Sequence, residues 1–208
     1  MLEMQLDISD FEDIMNLYIE VLKNDLYYVH RFPNKEEREK KMREIYSEPI
    51  KYLLRHYNGE TIGIFEDMQK CDDDTYRKGK LVAFILPFVY RIPSLDDKST
   101  FIIELRDMFL GKDNFIYEQL IGYTPFVSYI LAIVEHPDYK DMKLGFKLIQ
   151  DKIQEYPDWI YATDTTNLDY IKWFKENKFI IKEWDDGIKN HILAIHPSKK
   201  GVFRNVNT

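Results

Sequence analysis

A single cysteine, Cys71, stands among 208 residues. One thiol can neither close a disulfide within the chain nor build a cysteine metal cluster. The five histidines, His30, His56, His136, His191 and His196, contain no HExxH and no i,i+4 pair, so no metal site is expected. Asp72, Asp73 and Asp74 lack the alternating spacing of a calcium loop and read as a solvated turn. No basic excess is present either: 29 Lys and Arg against 36 Asp and Glu leave a net charge of −7, so nucleic acid is not an expected partner. The acidic balance favours a cationic ligand such as an amine, though many soluble chains with no such ligand are equally acidic. The start, Met1 to Met4, lacks the basic-then-apolar pattern of a signal peptide, and the apolar run from Pro125 to Val134 is too short to cross a bilayer. A cytoplasmic protein with no membrane partner is expected. Nothing marks a linker, so residues 1–208 read as one domain.

What is present is core-forming material, 45% hydrophobic with 15% aromatic residues, as in a globular chain. Its centre is the stretch from Phe126 to Gln154. The run up to Val134 is rich in β-branched and aromatic residues and reads as a buried central strand ending near Glu135. Pro137 cannot continue a ladder. Beyond it Phe146, Leu148, Ile149, Ile153 and Tyr156 share one stripe at helical spacing, with Gly145 opening the helix. A strand feeding a short turn into a helix presents free backbone N–H groups at the positive end of a helix dipole, here beside Lys140, Lys143 and Lys147. That arrangement suits a phosphorylated ligand; an ordinary solvated helix start has the same pattern.

His136, Pro137, Asp138, Tyr139 and Lys140, followed by Asp141, Met142, Lys143, Leu144 and Gly145, resemble the signature loop of the GNAT superfamily of acyl-CoA-dependent N-acetyltransferases. The family pattern is (Arg/Gln)-x-x-Gly-x-(Gly/Ala). Lys140 stands at its first position, Lys143 where the first glycine is usual, and Gly145 at the last small position. In that family the loop amides hold the coenzyme A pyrophosphate. The resemblance therefore implies a coenzyme site formed by Ile133, Val134 and Glu135 at the strand end and by Lys140, Asp141, Met142, Lys143, Leu144, Gly145, Phe146 and Lys147. Lysine at the glycine position keeps its N–H, but a positive φ there would be costly for it.

A second match lies downstream. Trp159 to Thr163 reads as a strand, and the segment from Asn167 to Phe179 resembles the family helix Asn-x-x-Ala-Ile-x-x-Tyr-x-x-x-Gly-Phe, with Asn167, Ile171 and Phe179 in place. In the family the asparagine bonds the pantetheine arm and the tyrosine protonates the departing thiolate, which implies that Asn167 and Phe174 border the coenzyme. Phe174 stands at the tyrosine position and has no proton to give, and Lys178 stands at the glycine. Tyr170, one turn earlier on the same face, is the nearest phenol and the candidate acid; a core tyrosine is the other reading.

The rest of the chain supplies the remaining elements. Leu2, Met4, Leu6 and Ile8 alternate as a first strand, and Ser9 with Glu12 forms a capping box for a first helix carrying Phe11, Ile14, Met15, Tyr18, Val21 and Leu22. Asp25 to Pro33 reads as an aromatic loop, which in the resembled family borders the acceptor cleft; a loop pinned to the core by its aromatics is the other reading. Asn34 caps a second helix to about Tyr46, interrupted by Pro49, with Ser47 recapping a further piece. That last piece also suits a hairpin turning at Asn58 and Gly59. Thr61–Glu66 and Lys80–Tyr90 read as antiparallel strands. Residues 91–125 form a helical insertion that roofs the acceptor cleft, makes a homodimer contact or extends the core. Strands at Phe179–Glu183 and Asn190–His196 close the chain around a turn at Asp185 to Gly187, and residues 197–208 read as a tail. The expected fold class is mixed α/β, GNAT-like, with a mostly antiparallel sheet flanked by helices.

The resemblance implies transfer of an acetyl group from acetyl-CoA to a small-molecule or peptide amine, with no metal. Glu135 is a candidate base beside Ser128, Tyr129 and His136; the other reading of Glu135 is that only its backbone takes part. A GNAT-fold binding module without chemistry and an enzyme for longer acyl groups are the alternatives.

Overall fold

The structure is a computed structural model that describes residues 1–56, 60–70, 76–91, 119–120, 126–185 and 190–196. The Asp72–Asp74 turn, nearly all of the insertion, the turn after Asp185 and the tail lie outside the described residues. Seven strands, β1 (Leu2–Gln5), β2 (Ile62–Phe65), β5 (Leu81–Arg91), β6 (Phe126–Glu135), β7 (Ile160–Thr165), β9 (Asn190–His196) and β8 (Ile180–Asp185), follow one another in that order, and a short hairpin of β3 (Gln69–Lys70) and β4 (Tyr76–Arg77) stands apart from them. The chain forms two compact units, Met1–Pro87 with Leu131–Lys152, and Phe88–Ile130 with Ile153–Thr208; β5 (Leu81–Arg91) and β6 (Phe126–Glu135) contribute to both.

In the first unit β1 (Leu2–Gln5) pairs antiparallel with β2 (Ile62–Phe65), and β2 with β5. The alternation predicts a strand as far as Ile8, but the strand stops earlier because Asp7 caps a 3-10 turn over Ile8–Asp10. Its carboxylate accepts from Ser9 N at 2.7 Å, while Asp10 accepts from Asp7 N at 3.0 Å, so the capping box is Asp7 with Asp10 and not Ser9 with Glu12. Helix α1 (Phe11–Leu22) buries Ile14, Met15, Leu17, Tyr18 and Ile19.

The expected aromatic loop contains a helix, α2 (Leu26–Arg31), whose first turn is capped by Asp25 accepting from Tyr27 N at 2.8 Å. Pro49 does not interrupt the next helix: α3 runs unbroken over Lys35–His56. Proline removes one N–H from the ladder, whereas the stripe of Met42, Tyr46, Ile50, Leu53 and Leu54 is wholly buried, and that packing outweighs one lost bond. Ser47 donates to the Arg43 carbonyl at 2.5 Å one turn back and opens no new helix. Buried Arg38 ties the three helices by donating to the carbonyls of Phe32 (2.7 Å), Lys23 (3.0 Å) and Pro33 (3.3 Å), groups that the ends of α1 and α2 leave without helical partners. Helix α4 (Leu144–Glu155) sets Leu144, Gly145, Leu148 and Ile149 inward, and its buried Lys152 meets Glu60 at 3.2 Å.

In the second unit β6 pairs parallel with β7 (Ile160–Thr165), β7 antiparallel with β9 (Asn190–His196), and β9 antiparallel with β8 (Ile180–Asp185). Val127, Tyr129, Ile160, Tyr161, Leu193 and Ile195 form its core together with Phe174 of α5 (Leu168–Glu176) and Phe179. Among the described residues no helix is long and apolar enough to cross a membrane.

Candidate functional site

The chemistry-bearing part of the first unit is the end of β6, the turn that follows, and the start of α4. His136 leaves the strand with its N–H on the Val82 carbonyl at 2.8 Å, and its Nδ1 accepts from Asp138 N at 3.2 Å, capping a 3-10 helix over Pro137–Met142. The imidazole is buried, with Nε2 at 2.8 Å from Lys80 Nζ and 3.1 Å from Glu20 Oε1. Tyr139 donates to Glu66 Oε1, and that bond holds its phenol above the ordinary range. The turn is thereby fastened by side chains to Glu20 of α1, to Glu66 just after β2 and to Lys80 just before β5, and by backbone to Val82 of β5.

Lys143 ends the turn with φ 53° and ψ 42°, a left-handed conformation. The family position that favours glycine thus keeps the glycine geometry while carrying a lysine. Such a backbone costs a residue with a Cβ roughly 1–2 kcal/mol. Leu144 N then donates to Glu135 Oε1 at 2.9 Å and Gly145 N to Oε2 at 3.5 Å. The carboxylate of Glu135 sits on the first free amides of α4, where the helix dipole favours an anion. Burial pushes this carboxyl above its usual range, and the two amide bonds pull against that shift. Ile133 is half-buried and Val134 fully buried; Lys140, Asp141, Met142 and Lys143 are exposed; Phe146 is half-buried. Lys147 is held between Glu3 and Asp151, the latter at 2.8 Å.

The second unit holds the downstream match. The β6–β7 ladder covers Val127–Tyr129 against Ile160–Ala162, and Thr163 Oγ1 donates to the Ile130 carbonyl at 2.9 Å where that register ends. Asn167 is the N-cap of α5, its Oδ1 accepting from Asp169 N at 2.9 Å and Tyr170 N at 3.4 Å. Tyr170 is half-buried with its hydroxyl oxygen shielded from solvent, its ring 6.1 Å from that of Phe174. Phe174 is 0% exposed and packs on Phe179 at 4.7 Å between centroids. Helix α5 ends in a Schellman motif: Phe179 N donates to the Phe174 carbonyl at 3.0 Å and Lys178 N to the Lys175 carbonyl at 3.3 Å, with Lys178 at φ 63°. The second family glycine is therefore also a lysine in left-handed backbone.

Sequence reasoning missed one cluster in this unit. Tyr129 donates its hydroxyl to Asp164 Oδ1, and buried His191 lies with Nδ1 3.6 Å from Asp164 Oδ2. Burial, and then the charge of Asp164, hold the Tyr129 phenol well above its ordinary range, so it stays protonated near neutral pH. The available signal was Asp164 itself, a charge inside an apolar strand pattern. Ser128, another candidate base, is buried at 2% exposure. Among the described residues no group of His, Cys, Asp and Glu could hold a metal ion.

No protein-family model matches the chain, and no curated protein sequence matches it. Solved structures do. The PaiA N-acetyltransferase from Thermoplasma acidophilum, in complex with coenzyme A, is 15% identical over 93% of this chain and 96% of that one, with a TM-score of 0.56. The polyamine N-acetyltransferase of Drosophila melanogaster, which forms N-acetylagmatine, is 12% identical over 94% and 98%, with a TM-score of 0.61. A chain of the NatC complex bound to a Gag peptide and coenzyme A is 14% identical over 94% and 97%, with a TM-score of 0.52. At such identities the likeness is one of architecture: the chain has the mixed α/β GNAT fold.

Proposed function

We propose that this chain, built on the GNAT fold, is an N-acetyltransferase that moves the acetyl group of acetyl-CoA to an amine by direct attack. The observation that carries the reading is the course of β6. Its ladder to β7 covers Val127–Tyr129, yet the strand runs on to Glu135 before turning into α4. Extended backbone beyond a ladder is what a pantetheine arm adds to as an extra strand, and the N–H groups near Ile133 to Glu135 are the donors proposed to polarise the thioester carbonyl. Solved neighbours of the same fold that hold coenzyme A support the same reading.

In the reaction the amine lone pair attacks the thioester carbon, the C–N bond forms, and the C–S bond breaks as coenzyme A leaves as a thiolate. The attacking nitrogen must lose a proton and the thiolate must gain one. Glu135 contributes through its backbone, because its carboxylate is engaged by Leu144 and Gly145. The amine proton passes to water, and the buried Tyr170 hydroxyl is the proposed donor to the thiolate. The acceptor class, a small-molecule or peptide amine, agrees with the neutral nucleophile this chemistry needs.

A binding module on the same fold is the second reading. It is favoured by Lys143, Phe174 and Lys178, which stand where the resembled family has glycine, tyrosine and glycine. Thiol release from acetyl-CoA, followed across agmatine, spermidine and a peptide with a free N-terminus, separates the two. Release with any of them supports the enzyme, binding of coenzyme A in calorimetry without release supports the module, and neither overturns both.

A further inference from the structure

His136 is given more hydrogen-bond partners than a neutral imidazole can satisfy. Its Nδ1 stands 3.2 Å from Asp138 N, which can only donate, so this bond needs a bare Nδ1 and places the ring proton on Nε2. The same Nε2 stands 2.8 Å from Lys80 Nζ, an ammonium that can only donate, and 3.1 Å from Glu20 Oε1, a carboxylate that can only accept. Lys80 therefore requires a bare Nε2, and Glu20 a protonated one. A proton on Nε2 serves Asp138 N and Glu20 but sets the ammonium against an N–H. A proton on Nδ1 serves Lys80, breaks the cap of the turn and leaves Glu20 facing a lone pair. The ring is 5% exposed, so it has little water to replace whichever contact is lost.

A second ring proton resolves the conflict on different terms. An imidazolium donates from both nitrogens, from Nε2 to Glu20 and from Nδ1 to the carboxylate of Asp138, whose Oδ2 lies 3.7 Å away. It can accept from neither Asp138 N nor Lys80. Lys80 is exposed, so its ammonium moves into water at little cost. Tyr139 meets the ring edge-on at 5.8 Å between centroids with its hydroxyl on Glu66, and the carboxylate of neighbouring Glu135 is turned to Leu144 and Gly145. We propose that His136 is a proton-operated clasp on the turn after β6. With a neutral ring it caps the 3-10 helix at Pro137–Met142 through Nδ1; once charged it releases that cap and Lys80 together, and grips Glu20 of α1 and Asp138 instead. Imidazole changes charge between about pH 5 and pH 8, so mild acidification works the clasp. All of these groups belong to the first unit, and the clasp does not depend on the coenzyme reading.

The test is nuclear magnetic resonance of the full chain with nitrogen labelling, following the His136 ring nitrogens and the Asp138 amide from about pH 8 to about pH 5. In the wild type the Asp138 amide resonance is expected to leave its hydrogen-bonded position as the ring charges, with the same midpoint as the ring. Lys80→Met removes the rival donor at Nε2. Near pH 8 it is expected to raise the share of the Nε2–H tautomer and to move the Asp138 amide further towards its bonded position. His136→Gln has no titrating ring and is expected to hold that amide still across the range. A ring that keeps one and the same tautomer with and without Lys80, or an amide that does not follow the ring, overturns the clasp. So does amide movement that persists in His136→Gln. Should His136→Gln fail to fold, the wild-type and Lys80→Met titrations decide alone.

Discussion

Replacing Lys178 by glycine is expected to stabilise the protein. Lys178 occupies the C′ position of the Schellman motif that closes α5, at φ 63°, with its N–H on the Lys175 carbonyl and the next N–H on the Phe174 carbonyl. The accompanying apolar contact is Phe179 on Phe174. Left-handed backbone costs a residue with a Cβ about 1–2 kcal/mol. Glycine removes that cost but gives back about 0.5–1 kcal/mol in unfolded-state entropy, so the net gain is roughly 0.5–1 kcal/mol. For a chain of this length such a gain raises the thermal midpoint by about 1–4 °C. The lysine side chain is exposed and, among the described residues, makes no ion pair, so its removal sacrifices little. Lys178→Ala is the control, because alanine keeps the Cβ and the strain and is expected to stay within about 0.5 kcal/mol of the wild type. Thermal unfolding followed by circular dichroism, with urea midpoints as a second measure, reads both variants. A glycine variant no more stable than the alanine variant refutes the strain argument at this helix end, and weakens it for Lys143.

Tyr170→Phe is expected to lower turnover about 100-fold or more, the scale of a lost general acid, while coenzyme A affinity in calorimetry stays the same; unchanged turnover makes Tyr170 a core residue. Asn167→Ala removes the cap of α5 and is expected to cost about 1 kcal/mol in urea unfolding, whereas Asn167→Ser keeps a capping oxygen. A loss of acetyl-CoA affinity in both variants supports a direct contact from the amide, and a loss in alanine alone supports helix positioning. Glu135 has a folded pKa raised by burial, so its contribution to stability is fully present below about 4.5 and is lost as the pH rises through its folded value. Urea midpoints of wild type and Glu135→Gln between pH 4 and 7 are expected to diverge in that direction, with the glutamine variant losing less; parallel curves refute the shift.

Local chemistry carried the central part of the fold. The apolar run before Glu135, Pro137 after it, and the stripe from Phe146 to Tyr156 each depend on residues within a turn or a strand of one another, and the strand, turn and helix are where that pattern puts them. The same holds for β9, whereas Asn167, read only by its family likeness, turns out to be the N-cap of α5. What failed locally did so where a local rule met a tertiary competitor. Pro49 is a helix breaker by its own chemistry, but a buried stripe on both sides of it keeps α3 whole. The segment after Asp25 is too short a helix to stand by itself, and it is held by its own cap and by Arg38 from the next helix.

The sequence alone determined the order of the main strands and helices among the described residues, apart from α2 and the β3–β4 hairpin, together with the place of the turn between β6 and α4 and which family positions have lost their usual residue. Only the tertiary structure decided how those positions are held. Whether Lys143 and Lys178 are strained depends on φ, which their neighbours impose. Whether Glu135 is a base or a cap depends on where a turn of chain returns the first amides of α4 to it. Whether Asp164 is an isolated charge or a partner for Tyr129 and His191 depends on strands distant in sequence lying side by side. Periodicity and motif spacing are properties of neighbours along the chain, whereas backbone strain, occupied donors and buried charge pairs are properties of neighbours in space.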